Sequence, residues 1–227
     1  MIERRIFRIA HIVKETSDIV TFHLVPKDGK PFKFEAGQFV NLYLGDIFRP
    51  YSISSSPKHE DFIELTVKMI KGKMTSKLEK AEVGHEVGIL GPLGNFAFNG
   101  KNTVMIACGI GITPMIAHLR EISEKKLKKN VTLFYSARTK KDVVFRDELD
   151  KIQRDCPSVK VIYIITREKA DGCECRRFDS KMLQKYIPDS SSKYFLICGP
   201  KELAANTKEI LNKFNVPADN VKIECWG

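Results

Sequence analysis

The sequence Thr-Val-Met-Ile-Ala-Cys-Gly-Ile-Gly-Ile-Thr-Pro occupies residues 103–114. Its first six residues form an apolar run typical of a buried strand, and a helical pattern follows from Thr113 to Glu124. Glycines at 109 and 111 let the backbone turn tightly and approach a pyrophosphate, while the start of a helix supplies N–H groups for an anion. Because Thr113-Pro114 stands where a third glycine is usual, an ordinary strand-to-helix turn remains the alternative.

The chain after residue 101 repeats this alternation of strand and helix. Apolar runs at 131–135, 159–165, 194–198 and 221–226 are separated by helical patterns near 145–155, 179–187 and 201–214. This alternation predicts a parallel sheet covered by helices on both faces. Ligands bind at the carboxyl edge of such sheets, so the turn Cys198-Gly199-Pro200 after the fourth strand is a second candidate binding segment.

The first 98 residues have a different pattern. Strands with alternating apolar and polar side chains are predicted at 19–25, 38–44, 62–69 and 86–90, with one short helix at 75–82. Short strands at this spacing predict a small antiparallel barrel. The pattern changes at Phe98-Asn-Gly-Lys-Asn102, which predicts two domains, residues 1–98 and residues 99–227.

Two segments of the first domain carry side chains that suit a flavin. In Arg49-Pro-Tyr-Ser52, the arginine can neutralise a phosphate, the tyrosine ring can stack on an isoalloxazine, and the serine hydroxyl can reach flavin N5. A barrel strand with a buried tyrosine is the alternative. Further on, Gly72 is followed by Thr75 and Ser76 at the start of the predicted helix, which suits a diphosphate, although Thr75 or Ser76 as an ordinary helix N-cap explains the same pattern.

Composition and charge exclude several classes of protein. The 227 residues are enough for two folded domains, and the longest apolar stretch, 104–117, is too short and too broken to span a bilayer. With no recognisable secretory signal, we expect a cytoplasmic protein. The six scattered cysteines lack iron–sulfur or zinc spacing, so Cys173 and Cys175 are interpreted as reduced thiols and no metal is expected. No nucleic-acid-binding module is recognised.

Several segments together resemble the ferredoxin–NADP(+) reductase superfamily, in the same order along nearly the whole chain. They are Arg49-Pro-Tyr-Ser52, Gly72-Lys-Met-Thr75, Gly91-Pro-Leu-Gly-Asn-Phe96, Gly109-Ile-Gly-Ile-Thr-Pro114, Tyr135-Ser-Ala-Arg138 and Cys198-Gly-Pro200. The resemblance implies a six-stranded antiparallel flavin-binding β-barrel followed by an α/β parallel-sheet nicotinamide-binding domain, with FAD as the flavin.

The resemblance also implies which residues bind each cofactor. Around FAD it places Arg49, Pro50, Tyr51, Ser52, Val67, Lys68, Gly72, Met74, Thr75 and Ser76. Around the nicotinamide cofactor it places Gly109, Gly111, Thr113, Pro114, Ser136, Arg138, Cys198, Gly199 and Pro200, with Thr113 near the contact between the two cofactors.

The chain ends on a further match. Glu224-Cys-Trp226 resembles the Glu-x-aromatic ending of the plant-type reductases, whose terminal ring covers the flavin, although here the ring is Trp and Gly227 follows it. A half-buried indole on a last strand is the alternative to Trp226 stacking on FAD. Ser52, Cys198 and Glu224 are the candidate polar groups around the path of hydride transfer.

The segment at residues 136–141, which follows the apolar run 131–135, indicates whether the protein uses NADPH or NADH. Ser136-Ala-Arg138-Thr-Lys140-Lys141 has no immediate acid, and an arginine there suits a 2′-phosphate. This pattern favours NADPH, although related NADH-dependent proteins also carry an arginine at this place and Arg138 as a solvated loop charge is the alternative.

These features predict an FAD-dependent oxidoreductase that takes hydride from NAD(P)H onto flavin N5 and passes electrons onward. The net charge of +10 favours an acidic electron carrier, such as ferredoxin or flavodoxin, as the acceptor. A reductase subunit of a larger complex, a free-flavin reductase and a non-catalytic docking subunit with the same fold remain the alternatives.

Overall fold

The computed structural model describes residues 3–98 and 102–225. These residues form two compact units. The first comprises the residues up to Ala97 together with Thr113–Lys125, and the second comprises Phe98–Ile112 and the residues from Lys126 onward.

The first unit contains a six-stranded antiparallel sheet. Its strands are β1 (Arg5–Lys14), β2 (Ile19–Pro26), β3 (Phe39–Leu44), β4 (Ile47–Ser52), β5 (Ile63–Lys68) and β6 (Glu86–Leu93), and helix α1 (Lys73–Leu78) lies between β5 and β6 in the chain. The strand order is β4-β3-β6-β1-β2-β5. A bridge between Ile53 and Leu65 joins the two ends of this order and closes the barrel. The predicted antiparallel barrel is confirmed.

Alternation of side chains along the strands builds the barrel core. Residues such as Phe7, Leu24, Leu42 and Leu65 point inward and are almost completely buried, because successive side chains of a strand point to opposite faces. The sequence pattern identified four of the six strands. It missed β1, where the register shifts between Ile9 and His11 and interrupts the alternation, and it did not assign β4, which is short and contains proline.

A second helix, α2 (Thr113–Glu124), belongs to the first unit. The Arg120 guanidinium donates to the Ser54 carbonyl at 2.8 Å and to the Glu64 carboxylate at 2.5 Å. The His118 ring nitrogen Nε2 lies 2.8 Å from the Phe96 carbonyl oxygen. The helix that follows the glycine turn in the chain is therefore anchored to the barrel, which the sequence pattern did not predict.

The second unit contains a five-stranded parallel sheet. Its strands are β7 (Asn102–Cys108), β8 (Asn130–Ala137), β9 (Val159–Ile165), β10 (Tyr194–Gly199) and β11 (Val221–Cys225), in the order β11-β10-β7-β8-β9. Its helices are α3 (Arg146–Asp155), α4 (Ser180–Tyr186) and α5 (Lys201–Lys213). The predicted parallel sheet with alternating helices is confirmed.

The sheet of the second unit has a buried core on the face that α4 and α5 cover. Val104, Phe134 and Ile197 lie in this core with Met182 and Leu211 of the two helices. Apolar runs rather than alternating patterns mark these strands because both of their faces are covered. Within the parts of the chain that the structure describes, no helix is long and apolar enough to cross a membrane.

Candidate functional site

Strand β4 presents the first candidate flavin-binding segment. It forms ladder hydrogen bonds with β3, and Pro50 is tolerated because β4 lies at the end of the strand order. Ser52 is only 4% exposed, and its Oγ has no hydrogen-bond partner within the described residues. A buried hydroxyl without a partner costs ~1–3 kcal/mol, so its position fits a group supplied by a ligand.

Arg49 and Tyr51 of the same strand complete this segment. The Arg49 side chain is exposed, and one of its Nη atoms donates to the Phe48 carbonyl at 2.8 Å. Within the described residues no carboxylate lies at ion-pair distance from it. Tyr51 packs against the barrel core, and burial raises the pKa of its phenol although the Arg49 charge opposes that rise. The strand thus offers a cation and a neutral aromatic ring, which suit a phosphate and a planar ligand.

The start of α1 forms the second candidate flavin-binding segment. The helix begins at Lys73 with Gly72 as its N-cap, so neither Thr75 nor Ser76 is the N-cap, and that alternative was wrong. Thr75 Oγ1 accepts the Gly72 N–H at 3.1 Å and donates to the Ile70 carbonyl. Because the helix packs against β4, the two candidate segments are neighbours. The N–H groups at the start of a helix have no acceptor within the helix and suit an anion.

The remaining candidates of the first unit differ in what they can offer to a ligand. The side chains of Val67 and Met74 lie in the barrel core, so only their backbone groups are available. Lys68 pairs with the Asp18 carboxylate at 3.3 Å, and Ser76 is exposed on the helix. Thr113 and Pro114 are buried at the start of α2.

The glycine turn after β7 is shaped by contacts within the second unit. Gly109 has a φ of +54°, and a Cβ built there would contact nothing within 4 Å. Gly111 has the opposite constraint, because a Cβ there would lie 2.2 Å from the Cys198 carbonyl oxygen. The turn therefore packs directly on the Cys198–Gly199 peptide, and it leaves open space beside Gly109. Open space beside bare backbone at the carboxyl edge of a parallel sheet suits a pyrophosphate.

Tyr135 holds this turn in place, which the sequence analysis did not predict. Its hydroxyl donates to the Gly109 carbonyl at 3.2 Å and accepts the Val144 N–H at 3.2 Å. Burial raises the pKa of the Tyr135 phenol, which therefore stays protonated and able to donate. In the sequence, Tyr135 is only a tyrosine at the end of an apolar run. That pattern does not reveal that its hydroxyl donates to the Gly109 carbonyl.

Cys198 and Glu224 are brought together by the pairing of β10 with β11. The two residues are register partners in the parallel ladder, so their side chains lie on the same face of the sheet. Cys198 is completely buried. One carboxylate oxygen of Glu224, Oε2, is buried with no hydrogen-bond partner within the described part of the chain. Trp226 lies outside the described residues, so its stacking on a flavin stays a prediction.

Glu224 has the chemistry of a group that exchanges protons near neutral pH. Burial raises the pKa of its carboxyl to about 7, and the nearby Lys222 charge only partly opposes this effect. A carboxyl with such a pKa is present in both protonation states near neutrality, which suits general acid–base work. Ser52, the third candidate near the hydride path, lies in the first unit.

The segment after β8 contains an exposed cation, Arg138. Ser136 is buried and Arg138 is exposed, and no carboxylate among the described residues lies at ion-pair distance from Arg138. Two acids do occur close by, but backbone groups engage both of them. Asp142 accepts from the Thr139 backbone and hydroxyl at 2.9 and 2.8 Å, and Glu168 accepts from the Lys140 N–H at 2.7 Å.

The turn after β10 shows the same close packing. A Cβ on Gly199 would lie 2.8 Å from the Leu203 side chain and 3.1 Å from Cys108 Cβ, so a larger residue would require these side chains to shift. Pro200 then stands at the N-cap of α5. Cys198, Gly199 and Pro200 thus lie beside the Gly109–Gly111 turn at one edge of the sheet.

Comparison with known proteins identifies two domains in the chain. Residues 7–98 match the oxidoreductase FAD-binding domain, and residues 105–209 match the oxidoreductase NAD-binding domain. The glycine betaine monooxygenase reductase subunit of Chromohalobacter salexigens is 28% identical over 97% of this chain. The chain spans 63% of the length of that relative.

Two solved structures show the same fold. The flavohem-like FAD/NAD-binding domain of nitric oxide dioxygenase from Vibrio cholerae is 23% identical, with a TM-score of 0.90 and 98% of each chain covered. A ferredoxin NADP+ reductase from Neisseria gonorrhoeae with bound FAD and NADP is 21% identical, with a TM-score of 0.85 and 99% of each chain covered. The chain thus belongs to the ferredoxin–NADP(+) reductase superfamily and carries an FAD-binding and an NAD-binding domain.

Proposed function

We propose that this protein is an NAD(P)H-dependent flavoprotein reductase. The observation that carries the proposal is the arrangement at the edge of the parallel sheet, where the Gly109–Gly111 turn packs on the Cys198–Gly199 peptide and Cys198 lies in register with Glu224. When bound, FAD would supply the chemistry by accepting hydride from the nicotinamide and passing electrons onward.

The residues of the first unit fit FAD. Arg49 offers a guanidinium without a carboxylate partner in the described residues, Tyr51 offers a ring, and the buried Ser52 hydroxyl lacks a hydrogen-bond partner there. We assign Arg49 and the first turn of α1 to the phosphates, and Tyr51 and Ser52 to the ring system. Pro50, Val67, Lys68, Gly72, Met74, Thr75 and Ser76 surround the same ligand in this proposal.

The residues around the glycine turn fit a nicotinamide dinucleotide. Bare backbone at Gly109 and Gly111 would admit the pyrophosphate, and Thr113, Pro114, Gly199 and Pro200 would line the same cofactor. Cys198 would position the nicotinamide. Glu224 would hold a proton at its carboxyl oxygen and exchange it near neutral pH, since burial raises the pKa of this group to about 7.

NADPH is the proposed physiological hydride donor. Arg138 is exposed beside the buried Ser136, while backbone groups engage Asp142 and Glu168. A guanidinium with no carboxylate at ion-pair distance among the described residues favours a 2′-phosphate, whereas an acid in its place would favour the ribose hydroxyls of NADH.

The proposed acceptor is an acidic electron carrier, such as a ferredoxin or a flavodoxin. The net charge of +10 would attract such a partner and speed its association. A second candidate function is that of the reductase subunit of a larger oxygenase complex. The Chromohalobacter relative, a monooxygenase reductase subunit, favours it.

We also propose a cytoplasmic location, which cell fractionation would test.

Reduction of the bound flavin tests the proposed activity. Purified protein should be yellow, heat should release FAD rather than FMN, and NADPH should bleach the flavin absorbance in an anaerobic stopped-flow experiment. NADH should do so at higher concentration. Protein that stays colourless after incubation with FAD, or bound FAD that neither nucleotide reduces, would contradict the proposal.

A further inference from the structure

An apolar row crosses the outer face of the barrel. Ile6, Gly88, Tyr43 and Phe48 are register partners on β1, β6, β3 and β4, which are adjacent in the sheet. Cross-strand partners share a face, so the side chains of Ile6, Tyr43 and Phe48 lie on one face of the sheet, with Gly88 between Ile6 and Tyr43. Ile6 is 40% exposed and Phe48 is 46% exposed. We refer to these four residues as the apolar row.

Contacts within the apolar row keep its shape. The rings of Tyr43 and Phe48 stack with centroids 5.0 Å apart, and the Arg4 guanidinium lies over the Tyr43 ring at 5.3 Å. Gly88 has no side chain, and a Cβ there would lie 2.8 Å from the Arg4 side chain. An open depression of about 180 Å³ lies beside the row, lined by Arg4, Ile6, Tyr43, Gly45, Glu86, Val87 and Gly88.

Cations predominate at the rim of this row. Arg4 and Arg8 are exposed, and within the described residues neither lies at ion-pair distance from a carboxylate. Lys77 reaches the end of β3, where its Nζ donates to the Leu44 carbonyl at 3.4 Å. The carboxylates nearby include Glu86, which pairs with Lys27 at 2.6 Å, Asp46 in the turn after β3, and Glu3, which precedes Arg4 in the chain. The rim thus has more positive than negative charge.

We propose that the apolar row and its cationic rim form the docking surface for a small acidic electron-carrier protein. Complementary charge steers and orients such a partner, while the exposed side chains of Phe48 and Ile6 supply apolar contact. The row spans four strands, or about 14 Å. This size suits a weak electron-transfer encounter, whereas an obligate dimer buries more than about 2,000 Å².

The position of the row along the chain also suits electron transfer. Phe48 lies three residues before Tyr51 on β4, a separation of about 10 Å along a strand. Arg49, Tyr51 and Ser52 are the residues that the proposed function assigns to FAD. A carrier docked on Phe48 would therefore lie one short stretch of a single strand from the flavin. The inference rests on the proposed function, because it names the partner surface of the same reductase.

The test compares acidic and basic carriers as electron acceptors. A plant-type [2Fe–2S] ferredoxin and a flavodoxin serve as acidic probes, and a cytochrome c serves as the basic probe. We expect Arg4→Glu to raise the KM for the acidic probes by about five- to tenfold at low salt, with a smaller effect at high salt, and to lower the KM for cytochrome c. We expect Phe48→Ala to raise the KM for the acidic probes by about fivefold at either salt concentration.

Matched controls separate docking from chemistry. Reduction of ferricyanide, a small acceptor, should be unchanged in both variants. Lys208→Glu reverses the charge of an exposed lysine on α5 and should leave every KM unchanged. If Phe48→Ala fails to retain FAD, Ile6→Ser tests the opposite end of the row. Unchanged KM values for the acidic probes in Arg4→Glu and in the apolar variant would overturn the proposal.

Further outcomes distinguish this inference from the proposed function. Wild-type protein that reduces ferricyanide but neither acidic carrier would overturn the docking surface and leave the reductase activity standing. If ferricyanide reduction itself fails, calorimetric titration with oxidised ferredoxin still tests the docking surface. Binding to wild type that is lost in Arg4→Glu would support the surface. An absence of binding to wild type would overturn it. A dimer in sedimentation experiments that Phe48→Ala dissociates would show that a second copy occupies the row, and would also overturn it.

Discussion

Replacement of Glu224 by glutamine tests the environment of the carboxyl next to Cys198. Burial raises the pKa of Glu224 from 4.5 to about 7. Below pH 4.5 the carboxyl is protonated in both the folded and the unfolded chain, so it costs the folded state nothing. Between pH 4.5 and 7 the unfolded chain gives up this proton while the folded protein keeps it, so the stability falls across that range and the full cost is reached above pH 7. Glutamine has a similar shape and never ionises, so Glu224→Gln removes this pH-dependent cost.

The magnitude follows from the pKa change. A rise of one unit corresponds to ~1.4 kcal/mol, so the full shift corresponds to roughly 3 kcal/mol above pH 7. Water reaches part of the carboxyl, which screens the charge, so we expect about 1–2 kcal/mol. With an m-value of ~2 kcal/mol/M, Glu224→Gln should raise the urea midpoint relative to wild type by about 0.5–1 M more at pH 8.5 than at pH 4.5.

Urea unfolding at a series of pH values measures this difference. Glu209→Gln, at an exposed carboxylate of α5, is the matched control and should shift the midpoint equally little at every pH. An NMR titration of the Glu224 carboxyl carbon should show a midpoint near pH 7. A difference between wild type and Glu224→Gln that does not change from pH 4.5 to pH 8.5 would refute the argument that burial dominates at this position.

Five further substitutions test the site residues. Ser52→Ala should leave the melting temperature of the apoprotein unchanged or higher, because the buried hydroxyl lacks a partner in the described residues, and should slow flavin reduction by about tenfold or more in stopped-flow experiments. Gly111→Ala should destabilise the second unit by ~1–3 kcal/mol, since its Cβ would lie 2.2 Å from a carbonyl oxygen. Gly109→Ala should destabilise it by only ~1 kcal/mol, the cost of placing alanine in a left-handed backbone conformation. Equal urea midpoints for the two variants would contradict this difference. Arg138→Ala should weaken the kcat/KM for NADPH by ~1.5–3 kcal/mol and spare NADH, and equal losses would show that the residue does not select the cofactor. Trp226→Ala should tighten nicotinamide binding about three- to tenfold if the indole competes for the flavin ring, and unchanged affinity would make it an ordinary strand residue.

Local patterns in the sequence were sufficient to predict most of the secondary structure. The predicted helix at Thr113–Glu124 and the predicted strand at Val159–Ile165 have the bounds of α2 and β9, because an apolar run or a helical period is a property of neighbouring residues. The two strands that were missed break their own local pattern. β1 contains a register shift, and β4, at the end of the strand order, contains Pro50, which lacks the N–H that a ladder hydrogen bond needs. The helix predicted at 75–82 lies at Lys73–Leu78 instead.

The sequence by itself determined the class of each unit and the segments that suit the two cofactors, since glycine turns and aromatic-cationic clusters are readable from adjacent residues. Only the tertiary structure decided which of these side chains meet. Cys198 and Glu224 become neighbours through the register of β10 with β11, and Arg120 reaches Glu64, 56 residues away in the chain. The constraint on Gly111 likewise arises from the Cys198 carbonyl. Strand order and register depend on packing between distant segments, and no pattern confined to one segment encodes the identity of its neighbour.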